Sequence, residues 1–218
     1  MEREFYQKLL RWKGSNLRKP LVLRGARQVG KTYILTEFAK REYEDHVYIN
    51  FDETPHFASF FNEDLDPGRI IKELNIFFKK KINPGSTLIV LDEIQECPQA
   101  LACLKYFCEK KNEYHLATAG SLLGVKLTQG FPVGKVNFLD LSPLNFFEFL
   151  IAIGEKELAV MLEEMDHPKP ISEIFHNKLI YLLKYYFIIG GMPEAVATYL
   201  KTENLEQVRV VQKEILDA

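Results

Sequence analysis

Pro20-Leu21-Val22-Leu23-Arg24-Gly25-Ala26-Arg27-Gln28-Val29-Gly30-Lys31-Thr32-Tyr33-Ile34-Leu35 decides the fold of this 218-residue chain. The first four residues are a short apolar run of strand type, and from Lys31 onward Ile34, Leu35, Phe38 and Ala39 recur at helical spacing. Between them stand Gly, four free positions, Gly, Lys and Thr, the pattern of a phosphate-binding loop in the strand–loop–helix setting it requires. Glycines at 25 and 30 let the backbone curl until successive N–H groups point inward at anionic oxygens, and the N-terminus of the next helix adds partial positive charge. The candidate nucleotide-binding residues are Gly25, Ala26, Arg27, Gln28, Val29, Gly30, Lys31, Thr32 and Tyr33. Lys31 suits the β- and γ-phosphates, and the Thr32 hydroxyl suits Mg²⁺, which takes oxygen ligands. The plainer alternative, a glycine turn with a solvated lysine, is disfavoured by the flanking strand and helix.

Thr87-Leu88-Ile89-Val90-Leu91-Asp92-Glu93 is an apolar strand ending in two adjacent carboxylates. Successive residues leaving a strand point in different directions, so Asp92 can face the Mg²⁺ shell while Glu93 faces a water in line with the γ-phosphate, as general base or water positioner. Many strands end in acidic turns, and it is the loop upstream that gives this one its meaning. Thr118-Ala119-Gly120-Ser121 closes the next strand and brings Ser121 to the edge of the sheet where open α/β folds bind ligands. Two readings of Ser121 stand: a hydroxyl on the γ-phosphate or attacking water, or a cap for a helix starting at Leu122.

Apolar and charged fractions of 47% and 27% are those of a globular protein, and the length suits one α/β domain with an appended helical segment. No run of about 18 apolar residues exists, and Met1-Glu2-Arg3-Glu4 is not a signal peptide, so a cytoplasmic chain without membrane association is expected. Cys97, Cys103 and Cys108 lack a Cys-x-x-Cys pair and any His at ligand spacing, and read as reduced thiols. Net charge is −2, yet residues 1–41 hold eleven Lys/Arg against three Asp/Glu. That excess is either a surface for nucleic acid or a set of charges serving the nucleotide and a solvated helix face.

Strands are expected at 20–24, 47–51, 87–91, 115–119 and 136–141, short and apolar as in a parallel sheet covered on both faces. Helices are expected at 2–12, 31–42, 68–82 and 98–111. After residue 141 the pattern turns helical, at 144–153 behind a Ser142-Pro143 start, then at 155–165, 172–189 and 204–216. Asp166-His167-Pro168-Lys169-Pro170 is the clearest linker. The domains so read are an N-terminal helix in 1–19, a core at 20–141 and a helical lid segment at 142–218.

Five motifs in order carry a resemblance across nearly the whole chain: the loop with its Arg24, Leu-Asp-Glu-Ile-Gln at 91–95, Ala-Gly-Ser-Leu-Leu at 119–123, Leu-Ser-Pro-Leu-Asn-Phe-Phe-Glu-Phe at 141–149, and Gly-Gly-Met-Pro-Glu at 190–194. The chain resembles the prokaryotic AAA-type ATPases of the Arg-Gln-Val-Gly-Lys-Thr kind, which are similar to STAND signalling ATPases. The resemblance implies a P-loop NTPase three-layer sandwich with a five-stranded parallel sheet of order 5-1-4-3-2. It implies ATP and Mg²⁺ as ligands, Lys31 and Thr32 on phosphate and metal, Asp92 on the metal, Glu93 as catalytic acid and Ser121 as sensor. In the STAND-like group a Gly-x-Pro turn touches nucleotide, which maps to Gly191-Met192-Pro193; read from the residues alone, that turn ends one helix and starts the next. Two departures stand out: Gly134-Lys135 where relatives carry Gly-Arg, and an end at Ala218 where relatives continue into a further domain.

Three functions share this loop: an ATPase coupled to conformational change, a phosphotransferase for a small substrate, and a nucleotide-gated binding module with little turnover. No arginine lies between Arg69 and Arg209, whereas phosphotransferase lids and ring ATPases place arginines on the transferring group. Arg24 and Arg27 are the remaining charge donors near the loop. The sequence therefore points to a slow Mg²⁺-dependent ATPase acting as a switch, which exchanges ATP and ADP and leaves open a protein partner, self-association or nucleic acid through residues 1–41.

Overall fold

The computed structural model describes residues 5–120, 134–165, 167 and 170–217. Five strands, β1 (Leu21–Arg24), β2 (Asp45–Asn50), β3 (Thr87–Asp92), β4 (His115–Ala119) and β5 (Asn137–Asp140), pair in parallel in the order β2-β3-β4-β1-β5. This is the expected 5-1-4-3-2 order read from the opposite edge. β3 and β4 are buried at every position, the apolar stretch 88–91 of β3 and Leu116, Ala117 and Ala119 of β4 together with the polar Thr87, Asp92, His115 and Thr118, while the edge strands β2 and β5 alternate between buried or half-buried and more exposed positions.

Helices α1 (Phe5–Lys13), α2 (Lys31–Glu42), α3 (Pro67–Phe78) and α4 (Pro98–Lys110) complete this unit, which comprises Tyr6–Ala26 and Gly30–Leu141. Leu35 and Phe38 of α2, Ile70 and Leu74 of α3, and Leu104 and Phe107 of α4 are buried. α3 starts where Asp66 accepts from the Arg69 N–H at 3.0 Å with Pro67 in the first turn, and stops before the expected residue 82 because Lys79 turns left-handed at φ 51°. Two short 3-10 turns, Pro55–Phe61 and Ile94–Glu96, carry no periodic signal long enough to be read from sequence.

An aromatic cluster ties α1 and α2 to β4. Trp12 packs on Phe38, Phe38 meets Tyr43 edge-on, and Tyr43 meets His115 edge-on with its hydroxyl 2.7 Å from His115 Nδ1. Burial, with Arg18 and Lys13 nearby, pushes His115 down to about 4.

The second unit is built on α5 (Phe146–Ala152), α6 (Lys156–Glu163), α7 (Glu173–Ile189), α8 (Pro193–Thr202) and α9 (Leu205–Asp217). α5 begins later than Ser142-Pro143 suggests. Asn145 Oδ1 accepts from the Glu148 N–H at 2.8 Å and Glu148 Oε2 accepts from the Asn145 N–H at 3.2 Å, a reciprocal cap that fixes the start. Phe149, Ile189, Ala195, Val196 and Val208 form one small core and Leu150, Leu158, Ala159 and Leu179 another. Between α7 and α8 the chain turns at Gly190, φ 76°, and Gly191 lies against residue 144: the Leu144 N–H donates to Gly191 O at 2.7 Å. A Cβ at Gly191 would lie 2.1 Å from Leu144 O, so only glycine fits. Among the described residues no single helix is long and apolar enough to cross a membrane.

Folded His115 takes up a proton near pH 4, whereas in the unfolded chain it does so near 6.5. Stability present above pH 6.5 is therefore lost as pH falls toward 4, by about 2 kcal/mol between pH 7 and 4.5. Urea unfolding at the two pH values checks this, and His115→Gln is expected to flatten the difference.

Candidate functional site

The loop after β1 takes the backbone shape its glycines allow. Gly25 has φ 156°, Gln28 stands left-handed at φ 59°, and Gly30, at φ 96°, is the N-cap of α2. Gln28 supplies a left-handed position that composition does not announce, since a non-glycine residue adopts it at some cost. Val29 is buried, while Ala26, Arg27 and Gln28 are exposed.

Lys31 opens α2 and is 6% exposed. A buried ammonium needs acceptors, and Lys31 Nζ donates to Gly25 O at 3.0 Å and Ala26 O at 2.7 Å. One residue on, Thr32 Oγ1 donates to Asp92 Oδ2 at 2.6 Å. The sheet places these groups together: Asp92 ends β3, Thr32 follows β1 through the loop, and both come from C-terminal strand ends of one parallel sheet. Tyr33, the last of the candidate nucleotide-binding residues, is 62% exposed.

Asp92 is 1% exposed and has its oxygens engaged. Oδ1 accepts from the Glu93 N–H at 2.9 Å, and Oδ2 accepts a second hydroxyl, Tyr48 Oη, at 2.8 Å. Tyr48 lies on β2, whose register sets Tyr48 against Val90 and Asn50 against Asp92, so all four share one face. Burial first, and then the neighbouring Asp92 carboxylate, push the Tyr48 hydroxyl up and keep it a donor. Sequence reasoning missed Tyr48, because an aromatic residue in an edge strand looks ordinary until the β2–β3 register is known.

Glu93 is left-handed at φ 48°, ψ 45°, and caps the 3-10 turn of Ile94–Glu96. That conformation costs a non-glycine residue about 1 kcal/mol or more. Its carboxylate accepts from Gln95 Nε2, a second contact that the sequence reading did not assign although Gln95 belongs to the quoted 91–95 motif.

Arg24 is withdrawn from the loop: its Nε and Nη2 donate to Asp140 at 2.7 and 2.8 Å, a two-pronged pair across β1 and β5, and its guanidinium lies over Phe138. Lys135 pairs with Glu109 at 2.8 Å. Several other cations of residues 1–41 also bond within the chain. Lys13 reaches Glu42, Arg18 reaches the carbonyls of Asn112 and Tyr114, and Arg41 reaches Glu37. These cations are held by groups of the chain itself, a use that neither sequence reading of the basic segment assigned.

Pro193 occupies the first turn of α8 in the helical unit, as the plainer reading of its motif expects. Ser121 lies outside the described residues. Cys97 and Cys103 are buried free thiols and Cys108 is a half-buried one.

A family model described as "AAA domain" matches residues 17–150, which hold the loop, all five strands and the Asp92 cluster. The chain belongs to the AAA domain family. The chain is 26% identical over 199 residues to the uncharacterized protein MJ1544 of Methanocaldococcus jannaschii, covering 90% of the chain and 40% of that protein. Among solved structures it is similar to Drosophila ORC bound to DNA, with a TM-score of 0.53, 15% identity, and coverage of 97% of this chain and 62% of that one. It is also similar to C. elegans PCH-2 (TM-score 0.51, 12% identity, 96% and 64% covered). A third likeness is to a STAND protein with a tetratricopeptide repeat sensor from Pyrococcus horikoshii (TM-score 0.51, 16% identity, 95% and 32% covered). At these identities the likeness is one of fold, and this AAA domain spans less than half of its curated relative.

Removing one of the hydroxyls on Asp92 tests the cluster. Tyr48→Phe is expected to lower stability by about 1–2 kcal/mol in urea unfolding, since it deletes a bond to a charged, buried acceptor. A change within experimental error would mean that the bond does not form in solution.

Proposed function

We propose that this chain binds ATP with Mg²⁺ through the 25–33 loop and hydrolyses it slowly, as a nucleotide-driven conformational switch of the STAND-like kind. One observation carries the reading: the Thr32 hydroxyl and the Asp92 carboxylate meet at 2.6 Å, one residue from an ammonium held against the loop's own carbonyls. The donor set at that point is hydroxyl and carboxylate oxygen, which fits Mg²⁺ and suits no softer metal. Mg²⁺, when bound, neutralises charge on the β- and γ-phosphates.

In this reading the chain's own groups do the following. Lys31 exchanges its hold on Gly25 O and Ala26 O for phosphate oxygens, so that a buried cation has acceptors with or without nucleotide. Arg27 and Gln28 line the exposed side of the loop, and Tyr33 follows it on α2. Thr32 and Asp92 supply oxygen ligands, and Tyr48 keeps the Asp92 carboxylate oriented. Glu93 takes a proton from water as the water oxygen bonds to the γ-phosphorus and the bond to the β–γ bridging oxygen breaks. We assign this core to 20–141, with residues 1–19 as an N-terminal helix and 142–218 as a lid segment.

Slow turnover is inferred from the arginine distribution. Residues 70–208 contain none, Arg24 is engaged by Asp140, and Lys135 by Glu109, which leaves the transferring phosphoryl group without a guanidinium from this part of the chain. The same scarcity weighs against a small-molecule phosphotransferase.

Lys31→Ala is expected to abolish ATP binding in calorimetric titration. Glu93→Gln is expected to keep ATP affinity within a few-fold and lower turnover about a hundredfold or more. Parent-like turnover in Glu93→Gln would remove the assigned base, and parent-like affinity in Lys31→Ala would remove the loop as the binding site.

A further inference from the structure

Glu93 has three rotatable side-chain bonds, and its backbone leaves β3 in a left-handed conformation, so nothing in the strand itself aims its carboxylate. Among the described residues the side chain that bonds that carboxylate is Gln95, through Nε2 to Oε2. Gln95 stands on a rigid platform. The 3-10 turn is closed by the Glu96 N–H to Glu93 O and the Cys97 N–H to Ile94 O, both at 3.0 Å, and Ile94 and Cys97 anchor it in the core at 0% and 1% exposure.

Gln95 Oε1 is buried and has no hydrogen-bond partner among the described residues. Rotating the amide by half a turn would expose the carbonyl oxygen to the Glu93 carboxylate, setting two acceptors face to face. The amide therefore keeps its N–H on Glu93 and leaves its oxygen unpaired, an uncommon arrangement that calls for an explanation.

We infer that Gln95 is the positioning residue for Glu93: it holds Oε2 of the carboxylate so that Oε1 is the oxygen left to take the proton of the attacking water. This rests on the reading of Glu93 as general base. Holding a reacting group in one geometry raises the rate of the chemical step without adding affinity for the ground state.

The experiment uses Gln95→Leu, which keeps the side-chain bulk and removes the donor, alone and combined with Glu93→Gln. Turnover in Gln95→Leu is expected to fall about tenfold, with the ATP dissociation constant and KM within twofold of the parent, and no further fall is expected when the change is made in Glu93→Gln. In the nucleotide-free protein, urea unfolding of the parent, the two single variants and the double variant is expected to give non-additive stabilities. Gln95→Met, of similar length and without a donor, carries the same test should Gln95→Leu not fold. Unchanged turnover in Gln95→Leu alongside a slow Glu93→Gln overturns the role of Gln95 alone, as does an undiminished loss in the double variant or additive stabilities. Parent-like turnover in Glu93→Gln instead overturns the base assignment on which the inference stands.

Discussion

The hydrogen bond from Thr32 Oγ1 to Asp92 Oδ2 joins segments that neither sequence neighbourhood nor direct strand pairing brings together. β4 lies between β1 and β3, so the bond spans an intervening strand at the end of the sheet. It can form because all five strands run the same way and their following loops gather at one edge. The buried Asp92 carboxylate in turn makes demands on its surroundings: each lone pair taken from water needs a donor. Thr32, Tyr48 and the Glu93 N–H supply them, and each comes from a different part of the chain.

Polar order at that edge depends on apolar order behind it. β3 and β4 are buried along their whole length, and α2, α3 and α4 cover them with Phe38, Leu74 and Phe107 among others. A core packed at that density fixes the strand ends to within the tolerance that a 2.6–2.8 Å bond requires. The Trp12, Phe38, Tyr43 and His115 cluster does similar work beneath α1 and α2, at the cost of burying an imidazole that must stay neutral.

Much of this was legible before any coordinates. Short, mainly apolar runs at Leu21–Arg24, Thr87–Asp92 and His115–Ala119 announce parallel strands, and the spacing of Gly25, Gly30, Lys31 and Thr32 announces the loop. Asp92 and Glu93 could be placed because they end a strand of that kind. Tyr48 and Gln95 could not, since their roles depend on contacts through space: one on the β2–β3 register, the other on a backbone reversal at Glu93. The start of α5 was misplaced for a different reason. A Ser-Pro pair is a strong local start signal, yet Asn145 and Glu148 cap each other and outweigh it. Lys79 ended α3 early through a left-handed turn that lysine adopts rarely enough to carry no signal.

The left-handed backbone at Glu93 has a consequence for how this chain can change over generations. Glycine or asparagine would occupy φ 48° more comfortably, so the position offers ready gains in stability to substitutions that discard the carboxylate. On the proposed reading of Glu93 as general base, a glutamate here opposes the local preference of the backbone, and folding and activity pull the sequence at residue 93 in opposite directions.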